Sequence, residues 1–266
     1  MDYKAIIIAV VVLAVVALII GVVLSVAEKV FKVEVDEKEV AVRNELPGSN
    51  CGGCGFAGCD ALAAAIAKGE APVTACPVGG KPVAEKIAAI MGQEVGEMVK
   101  MVAYVKCDGF CDNRTTDYNY FGIDSCVYAS KMPGSSPYAC KYGCLGFGSC
   151  VKVCDHPAIR IIDKKAVVDE NECIACGKCL KVCPHNLIEL IPADSKYRVQ
   201  CSSQARGKDV KNACTAGCIG CSLCKRNCPN DAIIFENNIA RSDYDKWTGC
   251  GICAEKSPVK IIKLYE

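Results

Sequence analysis

Thiol chemistry dominates this chain: 23 cysteines stand among 266 residues, against two histidines, His156 and His185. So many thiols admit disulfides, zinc or clustered iron and sulfide, and spacing has to separate the three. The stretch CGGCGFAGC, residues 51–59, poses the question in miniature, because Gly53, Gly55 and Gly58 also match the phosphate-binding pattern G-x-G-x-x-G. A phosphate loop needs a preceding strand and an acidic residue roughly 20 positions on. This loop follows Pro47-Gly48-Ser49-Asn50 instead, and Cys51, Cys54, Cys59 and Cys76 run C-x2-C-x4-C-x16-C across two glycine-rich turns. The glycines let the backbone wrap tightly and aim N–H groups at cluster sulfurs.

Further on, ECIACGKCLKVCP sets Cys173, Cys176, Cys179 and Cys183 at C-x2-C-x2-C-x3-C-P. Zinc sites usually come as two separated pairs, often with histidine; this is the bacterial ferredoxin run, whose fourth cysteine serves the other cluster of a pair. Its partner lies upstream in ACKYGCLGFGSCVKVCD, with Cys140, Cys144, Cys150 and Cys154. Phe147 takes the middle cysteine position, and Cys140 is the expected substitute. Crossed pairing then gives one cluster on Cys140, Cys144, Cys150 and Cys183, and a second on Cys154, Cys173, Cys176 and Cys179.

Comparing the chain with itself at an offset of 74 residues reveals a duplication. Cys140, Cys144, Cys150 and Cys154 map onto Cys214, Cys218, Cys224 and Cys228, and Cys176 and Cys179 onto Cys250 and Cys253. The second copy differs at three places: Phe147 becomes Cys221, Cys173 becomes Trp247 and Cys183 becomes Ser257. A cluster on Cys214, Cys218, Cys221 and Cys224 follows. The last site keeps only Cys228, Cys250 and Cys253, with Trp247 packed into the gap; a three-iron cluster, a four-iron cluster with a non-cysteine ligand or no cluster are open to it, and an empty or labile site is the expectation. Cys107, Cys111, Cys126 and Cys201 remain; Cys126 and Cys201 stand at near-equivalent distances before the two ACxxGC elements, so these four are assigned to a cluster bridging the modules, with Cys140 or Cys214 able to exchange roles with any of the four and buried or free cysteines as the alternative. The tally is five four-iron clusters and one incomplete triple.

These sites need elements to carry them. An uncharged apolar run from Ala5 to Ala27 would reach roughly 34 Å as a helix at about 1.5 Å per residue, enough to span a bilayer core. A cleaved signal peptide is disfavoured by the length of the run and by the single basic residue, Lys4, before it. Phe31 to Asn50 reads as a short strand or linker followed by a helical turn, DALAAAIAKGE as a helix ended by Gly69, and KPVAEKIAAIMGQEVGEMV as an amphipathic helix. AIRIIDKKAVV reads as a hairpin across Asp163, Lys164 and Lys165. The expected fold is α+β: a single N-terminal transmembrane helix (1–28), a linker (29–50), a small helical 4Fe-4S domain (51–100), and tandem two-cluster ferredoxin-like modules, the first with a cysteine-rich insertion (101–195) and the second partly degenerate (196–266). A net charge of +1 gives no support for nucleic-acid binding. Lys208, Lys211, Lys225 and Arg226 form a modest basic patch, suited to an acidic redox partner or simply a solvated face. No catalytic triad, nucleotide loop or flavin fingerprint is present.

Taken together, NCGGCGFAGCDALAAAIAKG with ACPVGG, YNYFGIDSC, YGCLGFGSCVKVC, and CSSQARGKDV with GCIGC resemble the B subunits of Rnf complexes, and the resemblance extends over essentially the whole chain. It implies an iron–sulfur subunit of a membrane-bound ferredoxin:NAD oxidoreductase coupled to sodium or proton translocation. Such a subunit would take electrons from reduced soluble ferredoxin on the cytoplasmic side and relay them to membrane subunits, with lipid around its anchor. NAD, flavins and the ion path would belong to other subunits. Departures at Asp155, where proline normally follows the cysteine, and at Trp247 and Ser257 put the terminal cluster in doubt. A membrane-anchored polyferredoxin of another reductase or hydrogenase is the alternative reading.

Overall fold

The computed structural model describes residues 3–30, 36–96 and 98–265. It opens with α1 (Tyr3–Val30), a helix of 28 residues. Residues 11–26 are exposed throughout, with Leu13, Leu18 and Leu24 among the bare side chains. Among the described residues no helix is long and apolar enough to cross a membrane, and the side chains at 5–6, 9–10 and 27–30, part of the apolar run, lie outside the described ones. Residues 31–35 of the expected strand or linker also lie outside them.

Where a strand was one expectation, α2 (Glu37–Glu45) forms. Local capping outweighs the alternating pattern: the Asp36 side chain accepts the Lys38 N–H at 2.9 Å, Glu37 and Glu39 sit in the first turn, and Arg43 in the last. Two further helices complete this part, α3 (Cys59–Ala67) and α4 (Gly80–Met91). Gly92, in the left-handed conformation, donates its N–H to Ala88 and stops α4 there, short of the expected run to Val99. The three helices close around Val42, Leu62, Ile66 and Ile87, with Cys59 and Cys76 in the same core.

From here the chain builds the same unit twice. The first comprises β1 (Met101–Val105), α5 (Cys126–Ala129), α6 (Ser149–Lys152), β2 (Ile159–Ile162), β3 (Lys165–Val168), α7 (Lys178–Val182) and β4 (Ile188–Pro192). The second comprises β5 (Tyr197–Val199), α8 (Gly207–Ala213), α9 (Leu223–Arg226), β6 (Ile233–Glu236), β7 (Ile239–Ser242), α10 (Ile252–Glu255) and β8 (Ile262–Leu264). Each outer strand pair is antiparallel, with Val105 opposite Ile188 and Val199 opposite Ile262. Each inner pair is a hairpin turned on two left-handed residues, Asp163-Lys164 and Asn237-Asn238, as a tight right-twisting hairpin requires. Lys165 belongs to β3 rather than to the turn. The 74-residue offset persists in the backbone: Gly146 and Gly220, Gly148 and Ser222, Ala175 and Gly249, and Asn186 and Lys260 all have positive φ.

The strand pairs also reveal what the cysteine alignment hides. Val105 and Val199 are equivalent, so Cys107 and Cys201 each stand two residues beyond a matched strand, and the stretch that follows is longer in the first module. The modules are joined by several contacts: Tyr104 Oη donates to the Val199 carbonyl at 3.3 Å, Thr215 N–H to the Asn113 carbonyl at 2.8 Å, and Thr115 N–H to the Ala213 carbonyl at 3.0 Å. Arg198, 2% exposed, is paired with Glu170 and stacked over Tyr104 and Tyr265.

Gly146 packs where the hairpin turn crosses the cysteine loop: a Cβ there would lie 2.2 Å from the Lys164 carbonyl oxygen, at a φ of +77°. Gly146→Ala is expected to cost more than about 1 kcal/mol through strain and clash. Anaerobic thermal unfolding should show a lowered midpoint for this variant and no change for Gly96→Ala, whose added methyl group meets open space.

Candidate metal centres

All 23 cysteines are free thiols, and the folded chain gathers most of them around three cavities and two smaller groups. The first cavity is bordered by Cys154, Cys173, Cys176 and Cys179, held just after α6, on the loop after β3 and at the start of α7. Ala103 N–H of β1 donates to Cys173 Sγ at 3.3 Å. Burial pushes the Cys179 thiol up to about 12, with the neighbouring Cys173 and Cys176 adding to the shift.

Cys126, Cys144, Cys150 and Cys183 line the second cavity. This differs from the expectation, which placed Cys140 there: Cys126, at the head of α5 in the insertion, fills the gap left by Phe147. The Ser149 hydroxyl accepts the Cys126 N–H at 2.8 Å and fixes this approach. Phe147 is half-buried against Tyr120, ring centroids 4.9 Å apart, in a small core with Cys126, Ala129 and Leu145. The thiols of Cys144 and Cys150 are raised to about 11 and about 12, by burial first and by facing thiols second.

Between the modules lies a cavity of about 300 Å³ bordered by Cys107, Cys140, Cys201 and Cys214, two cysteines from each copy. Its two halves are built alike. Cys107 Sγ accepts N–H groups from Gly109 and Cys144 at 3.3 and 3.4 Å; Cys201 Sγ accepts them from Ser203 and Cys218 at 3.4 and 3.2 Å. Burial lifts Cys201 to about 12 and Cys214 to about 11. Arg114 borders the same cavity with its guanidinium 3.5 Å over the Tyr138 ring, donating to the Cys144 and Lys164 carbonyls, while its buried Nε lacks an acceptor. Asp108, 6% exposed, is held between Lys165 and Lys263 at the rim, at 3.4 and 2.6 Å.

The expected bridging set therefore changes. Cys107 and Cys201 stay together, Cys126 leaves for the second cavity, and Cys140 and Cys214 enter. Cys111 joins none of these cavities: it is exposed, and its thiol donates to the Asp163 carbonyl at 3.1 Å. With Cys214 drawn away, Cys218, Cys221 and Cys224 are left with the buried Ser257 at the position of Cys183. Cys228, Cys250 and Cys253 form the remaining group, in which burial and the neighbouring Cys228 and Cys250 raise the Cys253 thiol.

In the helical part, burial raises the Cys76 thiol and the nearby Cys59 and Cys54 add to it. The Asn50 side chain accepts the Cys59 N–H at 2.8 Å, and Gly79 N–H reaches Cys76 Sγ at 3.4 Å. Gly53 sits against Cys176, whose carbonyl oxygen would be 2.7 Å from an added Cβ, so this loop and the first cavity are in direct contact. Lys178, paired with Asp155 where proline was expected, feels both Cys176 and Cys51. His185 lines the second cavity, and its Nδ1 lies 2.8 Å from the carbonyl of Gly143, a residue that borders both the second and the bridging cavities.

Among the described residues, no three His, Cys, Asp or Glu side chains converge as a single metal ion needs. The donor chemistry fits iron–sulfur clusters: all-thiol sets, backbone N–H groups aimed at the sulfurs, and, at the bridging cavity, the half-buried Arg114 cation with a buried, unmet Nε–H. Neutral buried thiols must lose their protons on binding iron, so loading is coupled to proton release. Strand pairs flanking thiol-lined cavities, in duplicate, define a multi-site protein of the ferredoxin class.

Comparison with known proteins agrees. Residues 46–78 match the family model described as "Putative Fe-S cluster", and residues 166–189 the 4Fe-4S binding domain. The B subunit of an ion-translocating oxidoreductase complex from Methanosarcina acetivorans is 45% identical over 92% of this chain and 93% of its own length. The B subunit of a Na(+)-translocating ferredoxin:NAD(+) oxidoreductase complex from Acetobacterium woodii is 44% identical over 97% of this chain and 78% of its own. That of a proton-translocating complex from Clostridium ljungdahlii is 40% identical over 95% and 90%. The chain belongs to the family of B subunits of ion-translocating oxidoreductase complexes.

The cavity assignments make a sharp distinction between two cysteines of the insertion. Cys126→Ala is expected to lower iron by up to about four atoms per chain, one four-iron cluster, whereas Cys111→Ala should leave iron and acid-labile sulfide unchanged. Parallel metal and sulfide analysis of anaerobic protein checks both.

Proposed function

We propose that this chain is the iron–sulfur electron-transfer subunit of a membrane-bound ferredoxin:NAD oxidoreductase, taking electrons from reduced soluble ferredoxin and carrying them towards the other subunits of an ion-translocating complex. Sodium or protons are the candidate coupling ions, as in the relatives' names. The residues proposed to hold four-iron clusters are Cys51, Cys54, Cys59 and Cys76; Cys154, Cys173, Cys176 and Cys179; Cys126, Cys144, Cys150 and Cys183; and Cys107, Cys140, Cys201 and Cys214. Cys218, Cys221 and Cys224 hold a further one with Ser257 as fourth donor. Bound clusters supply one-electron chemistry with little rearrangement.

The observation that carries the reading is the contact between successive sites. Gly53 touches Cys176. The segments of α6 and α7 each bear a cysteine of the first cavity and one of the second, Cys154 with Cys150 and Cys179 with Cys183. Cys144 of the second cavity donates its N–H to Cys107 of the bridge, and Cys218 of the next site donates to Cys201. The protein keeps these neighbours in register through backbone hydrogen bonds and excludes water by burying the thiols.

The exposed apolar run in α1 is proposed as a single-pass anchor in lipid, with the thiol-rich domains on the cytoplasmic face. Deleting residues 1–30 is expected to move the chain from the membrane to the soluble fraction without loss of iron; retention in the membrane would argue against the anchor.

The relay itself is tested at the bridge. With reduced ferredoxin as donor, Cys107→Ala/Cys201→Ala is expected to slow electron passage between the two modules at least tenfold in rapid-freeze EPR, while both modules still accept electrons from dithionite. Unchanged passage would show that the bridge is not the connection.

A further inference from the structure

The last site of the second module was expected to be empty or labile, with Trp247 as filler. Three observations oppose a passive Trp247. It occupies the position of Cys173, a donor to the equivalent cavity in the first module. It packs in one core with Cys228 and Cys253. Its indole Nε1 is buried and has no acceptor in the protein, although a buried tryptophan N–H normally finds one.

The three cysteines retain the local architecture of the complete site. The Ala232 N–H donates to Cys228 Sγ at 3.3 Å, Cys253 is the buried residue of α10, and Cys250 is the exposed member. Gly249 and Gly251 keep the positive φ of Ala175 and Gly177, so the loop carrying Cys250 follows the same path as the one carrying Cys176. What has changed is one donor, replaced by a bulky ring with an unmet N–H.

We propose, resting on the cluster reading above, that Cys228, Cys250 and Cys253 hold a three-iron, four-sulfide cluster, with the Trp247 indole N–H donating a hydrogen bond to its sulfur at the vacated corner. A cuboidal cluster lacking the iron of the missing thiolate leaves three sulfides without that iron, and these are acceptors. Trp247 both fills the corner, disfavouring capture of a fourth iron, and meets its own hydrogen-bond demand. Trp247 is thus a positioning residue for this site, and hydrogen bonds to cluster sulfur tune potential.

EPR of anaerobically prepared full chain, oxidised and then titrated, tests this. The oxidised protein is expected to show the near-isotropic signal of a three-iron cluster. Trp247→Cys should abolish it and add one iron per chain, and Cys250→Ala should also remove it. Trp247→Phe should keep the signal but lower its reduction potential, because the lost hydrogen bond stabilised the more negative reduced form. Reduced-state signals of the four-iron sites verify the fold of each variant. Absence of the oxidised signal in the parent protein, or its persistence in Trp247→Cys, overturns the proposal; an unshifted potential in Trp247→Phe overturns the hydrogen bond. A parent protein lacking iron and sulfide altogether would instead overturn the wider reading.

Discussion

Buried sulfur has to be answered by backbone donors, and this constraint governs the molecule. Cysteines fill the cores of both modules where aliphatic side chains would otherwise sit, leaving short strands and helices of four to seven residues to support them. Such elements contribute little by themselves. The loops between them are shaped instead so that N–H groups of Ala103, Gly109, Cys144, Cys218 and Ala232 face sulfur. The positive-φ residues that recur every 74 positions are a direct consequence, since aiming successive N–H groups inwards requires tight reversals.

The bridging cavity turns two repeats into one body. Each module supplies half of its thiols, and its edges collect the polar contacts that bind the copies: Asp108 from the first module meets Lys263 from the second, and Arg114 makes an isolated bridge to Cys214. Duplication created this interface without a new motif, because Cys107 and Cys140 of one copy meet their own counterparts. Divergence then acted on both copies. The first has Phe147 where the second has Cys221 and draws on Cys126 from its insertion; the second has Trp247 and Ser257 where the first has Cys173 and Cys183.

For electron transfer, the economy of this arrangement lies in shared elements. Helices that serve two sites, and sulfurs that accept N–H groups from the cysteine of an adjoining site, keep neighbouring centres at fixed separation whatever the surface does. Variation in burial, local charge and donor number from one site to the next then gives each centre its own surroundings. Arg114 and the Lys165–Asp108–Lys263 group do this at the bridge, and Trp247 at the end of the series.

How much of this could be read from the residues alone follows from how local each feature is. Sequence was sufficient for the thiol class, the ferredoxin spacing of Cys173 to Cys183, the hairpin at 159–168 and the duplication, because each is written in contiguous spacing or periodicity. It foresaw only a helical turn where the nine-residue α2 forms behind its Asp36 cap, and it ran α4 past Gly92, which terminates the helix. It also left open which of Cys107, Cys126, Cys140 and Cys214 belong to the bridging set, and favoured Cys126 there over Cys140 and Cys214. Counting from the ACxxGC elements matched Cys126 with Cys201, whereas strand pairing matches Cys107 with Cys201; the signal, a cysteine two residues after a valine in YVKC and RVQC, was hidden by the insertion. Which thiols share a cavity depends on how strands far apart in sequence pair and how two modules face each other, and only the tertiary structure decides that.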